Sequence, residues 1–502
     1  MNQRKSGAIL SYVTIGLQNL VGLLYTPYLL RMLGKSEYGL YSLVTSIIAY
    51  LTLLDFGFGD AVIRYTARNK AQGKKDEQYS LFGMFTIVYL AIATVALVMG
   101  VALAFNLDVF FSDTMSATEI SRAKTMLLCL AGNLGATFFF SIYKAILDAY
   151  EQFVFVRLLN IFRIILNTFI MIVLLHLGFK AVALVVVATI LNIVVLLSNC
   201  FYCFVKLKIS IYFSNIPWFS LKEICGYSIF IFLNSCISHV YWFSGQFILG
   251  MYEGARTIAV YAIAIQLVNM FKHFTSAVSS VFFPKVIALS VQNESDKEIS
   301  DIFNRIGRLQ YVIVSLITSG FIVFGQEFIS LWAGNGYEGA FVLTLIFFTS
   351  LMPAQTQQIG WIVCKARNHL KFRTYTYVAI ALVCLVAQVF GSKYYGMVGN
   401  AIAIGTSLVL MEGIILNIYY QKYERLNIKL FWKNVLKLSI IPGALICISY
   451  YVKQMISFDS WSKMLLGIFV YGSTFFTLSF LFSFNNYEKA LLFRTRKGRD
   501  LK

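Results

Sequence analysis

Lys272 lies in the middle of a long apolar segment, where a charged side chain is costly unless it is paired or lines a hydrated cavity. It shares one helical face with polar residues at three- and four-residue intervals: Asn269, His273, Ser276 and Ser279/Ser280. A lysine ammonium is a compact charge that suits phosphate groups, and a histidine titrates near neutral pH. The face therefore predicts either a cavity-facing anion site or a polar seam against a neighbouring helix.

Arg163 is the second cation in the middle of a span, and Asn160 and Asn167 recur on its helical face. Its guanidinium can fork two hydrogen bonds to a phosphate. The same side chain is equally compatible with an ion pair to Asp55 or with a hydrogen bond to a backbone carbonyl. Arg163 is therefore a candidate anion contact, with these two structural alternatives open.

Two further arginines are secondary candidates for the same role. Arg31 follows Pro27, which is expected to kink its helix. We interpret Arg31 either as a cavity-lining residue at the outer mouth or as an interfacial anchor. Arg64 stands four residues after Asp60, a spacing typical of an ion pair within one helix.

Asp55 and Glu412 are the principal deep acidic residues of the two halves of the chain. Gly57 and Gly59 follow Asp55 closely and permit a bend in the helix. Glu412 has no evident partner in the sequence. Each carboxylate is predicted either to balance buried cations or to bind a coupling proton or sodium ion, and for Asp55 we favour charge balance.

Helices within a membrane must position these residues, because 59% of the 502 residues are hydrophobic and only 13% are charged. Soluble domains carry roughly 25% charged residues. Apolar stretches of about 20 residues predict these spans: 8–33, 38–67, 80–105, 122–143, 154–176, 180–205, 221–250, 256–284, 309–331, 339–363, 374–393, 396–420, 435–452 and 463–484. The fold class is therefore an all-α integral membrane protein with about fourteen transmembrane helices.

The basic residues give the orientation of the spans. With a cytoplasmic N-terminus, most of the 42 Lys and Arg residues fall in cytoplasmic segments, as the positive-inside rule requires. Both termini are therefore predicted to be cytoplasmic. Because the net charge of +19 follows from this topology, it does not indicate a nucleic-acid partner.

No connection between spans is long enough to form a catalytic domain. The longest polar stretches, about 67–79, 206–220 and 285–308, are predicted to be loops or short interfacial helices. Cys200 and Cys203 form a CxxC inside an apolar span, without the second pair or neighbouring histidine of a metal site. Nucleotide-binding, zinc-protease and nucleophile-elbow motifs are missing from the sequence. We therefore predict neither an enzyme nor a metal or cofactor site.

A faint internal repeat relates the two halves. YKAILDAYEQFVF (143–155) matches WIVCKARNHLKF (361–372), and LGFKAVALVVVAT (177–189) matches YGMVGNAIAIGTS (395–407), both about 218 residues apart. The predicted divisions are 1–206 and 207–422, with six spans each, and 423–502 with two more. Transporters built from such repeats commonly bind their substrate between the halves.

The stretches LLYTPYLLRMLGKSEYGLYSL (23–43) and LLDFGFGDAVIRYTA (53–67) resemble the first helical hairpin of bacterial oligosaccharide flippases. These Wzx-like polysaccharide transporters belong to the multidrug/oligosaccharidyl-lipid/polysaccharide exporter superfamily. The resemblance implies two six-helix lobes around a central cavity that opens alternately to each side, plus two C-terminal helices.

The resemblance also implies a cargo and a location. The cargo would be a polyprenyl-pyrophosphate-linked oligosaccharide, flipped across the bacterial cytoplasmic (inner) membrane for O-antigen, capsule or exopolysaccharide assembly. Expected partners are membrane lipids, a polysaccharide polymerase and other assembly proteins. The substrate-binding set would then be Lys272, Arg163, Arg31, His273, Asn269 and Arg64.

Two other functions fit the same architecture. A multidrug exporter of organic cations should display an acidic cavity, so the mid-span Lys272 and Arg163 disfavour it. A membrane enzyme of polysaccharide assembly would need a substantial outer loop, and the longest here is about 105–121.

Overall fold

The structure is a computed structural model that describes residues 3–214, 216–291, 296–367 and 369–492. The regular elements in these ranges are all helical, and eleven candidate spans are long and apolar enough to cross a membrane. Two of the eleven, Ser6–Ala71 and Lys371–Lys422, run for 66 and 52 residues, at least twice the length that a bilayer requires. The all-α membrane fold is confirmed, while the count of fourteen helices stays a prediction.

The chain divides into two compact units. Unit 1 comprises Met1–Ala262 with Ser392–Gly396, and unit 2 comprises Ile263–Gly391 with Met397–Lys502. The divisions expected from the repeat, 1–206, 207–422 and 423–502, stay a prediction.

Unit 1 is built around the packing of two long helices, α3 and α5. Its elements are α1 (Gln3–Leu51), α2 (Phe58–Ala71), α3 (Lys75–Phe105), α4 (Leu107–Phe111), α5 (Ala117–Ala149), α6 (Phe153–His176), α7 (Ala181–Val205), α8 (Trp218–Trp242) and α9 (Ser244–Glu253). Phe82 and Phe85 of α3 and Ile146 of α5 are fully buried. Gly100 lets the two helices approach, because a Cβ there would lie 2.5 Å from the Cβ of Ala131. Small residues at such crossings are how helices associate in lipid.

Two helix breaks in unit 1 lie at glycines. Helix α1 is interrupted at Gly34, where φ is 74°. It then ends in a 3₁₀ turn, Thr52–Asp55, and Gly57 with φ 75° precedes α2. The bend predicted from Gly57 and Gly59 is therefore present. The predicted span 221–250 is instead two helices, α8 and α9, which meet at Phe243.

Unit 2 is organised around α11, which packs against α12, α16 and α17. Helix α10 (Ala255–Val291) leads into this unit. It is followed by α11 (Asp296–Trp332), α12 (Gly339–Thr356), α13 (Gln358–Ala366), α14 (Leu370–Leu408), a π-helical turn (Val409–Ile415), α15 (Leu416–Lys422), α16 (Ile428–Met455), α17 (Trp461–Leu478), a second π-helical turn (Ser479–Ser483) and α18 (Asn486–Leu492).

Two expectations for this part of the chain need correction. The stretch 285–308 was expected to be a loop or a short interfacial helix. The long helices α10 and α11 instead extend through its described residues. The predicted span 339–363 breaks at Gln357, four residues after Pro353, whose ring removes a backbone donor.

The internal repeat has a counterpart in local geometry. Tyr150 N–H donates to the Ile146 carbonyl at 2.9 Å, and Arg367 N–H donates to the Val363 carbonyl at the same distance. The glycines of the second matched stretch, Gly178 and Gly396, both have positive φ, 84° and 60°. The matched stretches therefore share a helix-end hydrogen bond and a positive-φ glycine, while the repeat itself stays a prediction.

Buried ion pairs fix the loops of unit 2 that follow α13 and α15. Glu424 is 0% exposed and accepts from Arg367 Nη1 at 3.3 Å, and His369 Nδ1 lies 2.9 Å from its other oxygen. Arg367 also donates to Asp296 at 2.8 Å. Arg425, which is mostly exposed, reaches the same aspartate at 3.2 Å. Glu424 is therefore the buried centre of a charge cluster joining three segments.

Candidate functional site

The polar face predicted around Lys272 lies on α10, and Lys272 itself is half-buried. The other polar residues described on this face are exposed: Asn269, His273 and Ser276. The adjacent face of the helix packs against the protein. Phe271 and Thr275 are buried there, and the Thr275 hydroxyl donates to Gln355. Ser279 and Ser280 lie outside the residues whose side chains the structure describes.

Arg163 lies half-buried near the middle of α6. Helices α1 and α6 run parallel: Val154 N–H donates to Gln3 at 3.3 Å near one end, and the Tyr28 hydroxyl donates to the Ile172 carbonyl at 3.3 Å near the other. Nine residues separate Val154 from Arg163, which places the arginine about 14 Å further along the helix. Among the described residues, Arg163 has neither a carboxylate nor a carbonyl partner. Neither the ion pair to Asp55 nor the hydrogen bond to a backbone carbonyl is therefore present among them.

Asp55 closes the break between α1 and α2. One carboxylate oxygen accepts from the Tyr89 hydroxyl at 3.2 Å, and the side chain also accepts from the backbone N–H groups of Gly57 and Gly59. A carboxylate that accepts backbone N–H groups at a helix start acts as a cap. In the described part of the chain, Asp55 forms no ion pair, so its contacts are those of a residue that shapes the break.

Glu412 does have a partner, contrary to the expectation from sequence. The Arg373 guanidinium donates to it at 3.3 Å and the Tyr377 hydroxyl donates to the same oxygen. Glu412 lies in the π-helical turn 409–415, and such turns occur frequently at functional sites. The sequence assigned Arg373 to a cytoplasmic loop. Only its four-residue spacing to Tyr377 hinted at a helical face.

Arg31 and Arg64 are both exposed side chains of unit 1. Arg31 lies on α1 three residues before the interruption at Gly34, and Arg64 lies on α2. A role of either arginine in binding stays a prediction.

Unit 2 contains a cavity of about 430 Å³ whose lining is rich in side-chain amides. It is lined by Ser276, Ala354, Gln355, Gln357, Gln358, Trp361, Ile362, Arg373, Glu412 and Tyr420. Ser276 belongs to the polar face of α10, so the candidate face and the Arg373–Glu412 pair contribute to one cavity. The sequence analysis missed Trp361, Arg373 and the glutamines of this site.

Asn417 holds the π-helical turn beside this cavity. Its amide donates to the carbonyls of Glu412 at 3.0 Å and Gly413 at 2.7 Å. Its Oδ1 accepts from Gln357 Nε2 at 2.8 Å and from Trp432 Nε1 at 3.1 Å. A buried hydrogen-bond network of this kind rigidifies its surroundings. The position of Glu412 is therefore fixed by hydrogen bonds at its own backbone.

In the part of the chain that the structure describes, no group of three or more His, Cys, Asp or Glu residues is placed to hold a metal ion. Cys200 and Cys203 are free thiols, half-buried and buried in α7.

The helical fold and its candidate spans define a multi-pass membrane protein. The family profile described as "Polysaccharide biosynthesis protein" matches residues 5–289, more than half of the chain. The chain belongs to this family, which confirms the resemblance drawn from residues 23–67.

Individual relatives are distant but cover nearly the whole chain. The "Uncharacterized membrane protein EpsK" of Bacillus subtilis (strain 168) is 20% identical over 501 residues, 94% of each chain. The "Putative O-antigen transporter" of Salmonella typhi is 23% identical over 432 residues, covering 81% of this chain and 93% of the relative.

Solved structures with the same fold are transporters. "Lipid II flippase MurJ, inward closed conformation" has a TM-score of 0.74 at 15% identity and covers 97% of this chain and 99% of its own. A MATE transporter in complex with MaD3S has a TM-score of 0.56 at 15% identity, covering 86% and 98%. At these identities the likeness shows the fold, which this chain shares with both structures.

Proposed function

We propose that this protein flips a polyprenyl-pyrophosphate-linked oligosaccharide across the bacterial cytoplasmic membrane by alternating access, for surface polysaccharide assembly. Family membership and the transporter fold support a polysaccharide-related cargo. An anionic lipid cargo is supported by the environment of Arg163. This side chain is half-buried at the middle of its helix and has no carboxylate partner among the described residues. A cation in that position is retained for a task, because an unpaired charge is costly within a bilayer.

In this mechanism the pyrophosphate binds to Lys272 and Arg163, with Arg31 at the outer mouth. The exposed Asn269 and His273 supply further polar contacts beside Lys272, and Arg64 is a secondary contact. The sugar occupies a hydrated lumen while the polyprenyl tail stays in lipid. An ion gradient or the membrane potential then resets the lobes, with Glu412 the better candidate for coupling because Asp55 caps a helix break.

The test is a flipping assay in proteoliposomes with a fluorescent lipid-linked oligosaccharide. A charge-assisted hydrogen bond is worth roughly 1.5–3 kcal/mol, so Lys272→Gln with Arg163→Gln should slow flipping by more than about tenfold. The matched control is Lys463→Gln with Arg425→Gln. These side chains are 53% and 76% exposed, and each pairs with an aspartate, Asp459 and Asp296 respectively. Unchanged flipping in the first double variant would mean that the binding scheme is wrong.

The multidrug exporter is the second candidate, because MATE transporters share the fold. Its cargo would be an organic cation, so deletion should sensitise cells to cationic dyes and drugs. An assembly enzyme would instead convert lipid-linked sugar into a changed glycan when incubated as purified protein. Under our proposal, cells that lack the protein keep an unchanged drug sensitivity, and the purified protein leaves the lipid-linked glycan chemically unchanged.

A further inference from the structure

The amide-rich cavity of unit 2 has a lining without net charge. Arg373 and Glu412 are its two formally charged residues, and they are paired at 3.3 Å. An incoming phosphate would compete with Glu412 for Arg373 and would lie beside that buried carboxylate as a second anion. The lining therefore favours a ligand that is polar and uncharged.

Several polar atoms of the lining have unused hydrogen-bonding capacity. Arg373 Nε and Gln357 Oε1 are buried and lack a hydrogen-bond partner among the described residues. The first is a donor and the second an acceptor, so a ligand must offer both functions. A hydroxyl group donates and accepts, whereas a phosphate oxygen at neutral pH only accepts. Adjacent hydroxyl groups satisfy both atoms.

Trp361 gives the same cavity an aromatic wall, and its side chain is 37% exposed. The electron-rich face of an aromatic ring attracts the weakly positive C–H groups on one side of a sugar ring. The volume of about 430 Å³ lies toward the lower end of ligand pockets, roughly 300–1,000 Å³. One or two sugar residues fill such a space, while a complete oligosaccharide does not.

We propose that this cavity binds an uncharged sugar residue of the cargo, as a subsite separate from the cations that bind pyrophosphate. The proposal rests on the proposed function for the identity of the cargo. Trp361 stacks on the sugar ring, and Gln357 and Arg373 bind adjacent hydroxyl groups. The subsite therefore selects among glycans while Lys272 and Arg163 bind the group that all such lipids share.

The experiment is isothermal titration calorimetry on the purified full-length protein in detergent. The neutral probes are the methyl glycosides of glucose, galactose and N-acetylglucosamine. Glucuronate and inorganic pyrophosphate are the acidic probes. We expect at least one neutral glycoside to bind with a millimolar dissociation constant. Trp361→Ala and Gln357→Leu should each weaken that binding by tenfold or more.

The controls use residues outside the cavity. Trp218 and Gln326 are exposed, and Trp218→Phe and Gln326→Leu should leave sugar binding unchanged. Lys272→Gln should weaken pyrophosphate binding and leave sugar binding intact. Elution volume and helical circular dichroism establish that each variant is folded.

The proposal is overturned if none of the three neutral glycosides binds, or if binding survives both Trp361→Ala and Gln357→Leu. It is also overturned if only the acidic probes bind and do so through Arg373. The flipping assay separates this failure from that of the proposed function. If the protein flips the lipid-linked oligosaccharide but binds no sugar, only the proposed subsite is wrong. If it binds sugar but does not flip that lipid, the sugar site stands and the protein transports another cargo.

Discussion

Replacing Asp55 separates a structural role from ion coupling. Asp55→Ala removes the carboxylate oxygens that accept from Tyr89 and from the N–H groups of Gly57 and Gly59 at the break between α1 and α2. Losing a cap costs about 1 kcal/mol, and removing the charged acceptor of the Tyr89 hydroxyl costs a further ~1–3 kcal/mol. The free energy of unfolding should therefore fall by about 3 kcal/mol.

Asp55→Asn is the informative comparison because asparagine cannot ionise. Its amide oxygen still accepts hydrogen bonds, and asparagine is as good a helix cap as aspartate. We expect the free energy of unfolding to fall by about 1 kcal/mol, because one accepting carboxylate oxygen is replaced by an amide NH₂ group that can only donate. Flipping should stay within about threefold of the unmodified protein, since a loss of this size leaves almost all of the protein folded.

The two assays are equilibrium unfolding in mixed detergent micelles and flipping in proteoliposomes. Tyr89→Phe serves as a matched variant, because it removes one hydrogen bond at the same carboxylate and leaves the cap. It should cost about 1 kcal/mol with little change in transport. A stable Asp55→Asn variant without flipping activity would refute the structural interpretation and identify Asp55 as a coupling residue.

Glu424→Gln should lower the free energy of unfolding by about 3 kcal/mol, because it removes the buried carboxylate that pairs with Arg367 and contacts His369, whereas Arg425→Gln, at a mostly exposed side chain, should change it by less than about 0.5 kcal/mol. Equal effects of the two substitutions in denaturant titrations would contradict the assignment of Glu424 as the centre of the cluster. Gly34→Ala should cost about 1–2 kcal/mol, since φ is 74° there although the surrounding space is open. Gly16→Ala, at a helical glycine that also has open space, should be neutral or stabilising. Thermal unfolding of both variants checks the sign.

Local sequence signals predicted the features that depend on neighbouring residues. The bend at Gly57 follows from two nearby glycines, and the predicted polar face of α10 follows from three- and four-residue spacing. Lys144 and Asp148, four residues apart with opposite charge, do pair at 2.9 Å. Each of these follows from helix geometry within about one or two turns, so the sequence is sufficient.

Contacts between distant segments could not be predicted from such local sequence signals. Glu412 and Arg373 are 39 positions apart, and their pairing depends on how α14 folds back beside the π-helical turn. The break at Phe243 lies beside Ser244 and Gly245, a pair that permits a kink, but hydropathy over 221–250 does not show that a helix ends there. The Ser244 hydroxyl bonds to the Val240 carbonyl there, a competing bond that hydropathy cannot reveal.

The sequence by itself determined the membrane class, the family and the two mid-span cations, because hydrophobic length and helical periodicity are properties of consecutive residues. Tertiary structure alone decided which charges have partners and which polar side chains share a cavity. Arg163 and Glu412 look alike in sequence, as single charges in apolar spans. In the structure Glu412 is hydrogen-bonded by Arg373 and Tyr377, while Arg163 has no carboxylate among the described residues. The reason is that the cost of a buried charge depends on what surrounds it in space, which is set by packing between segments far apart in the chain.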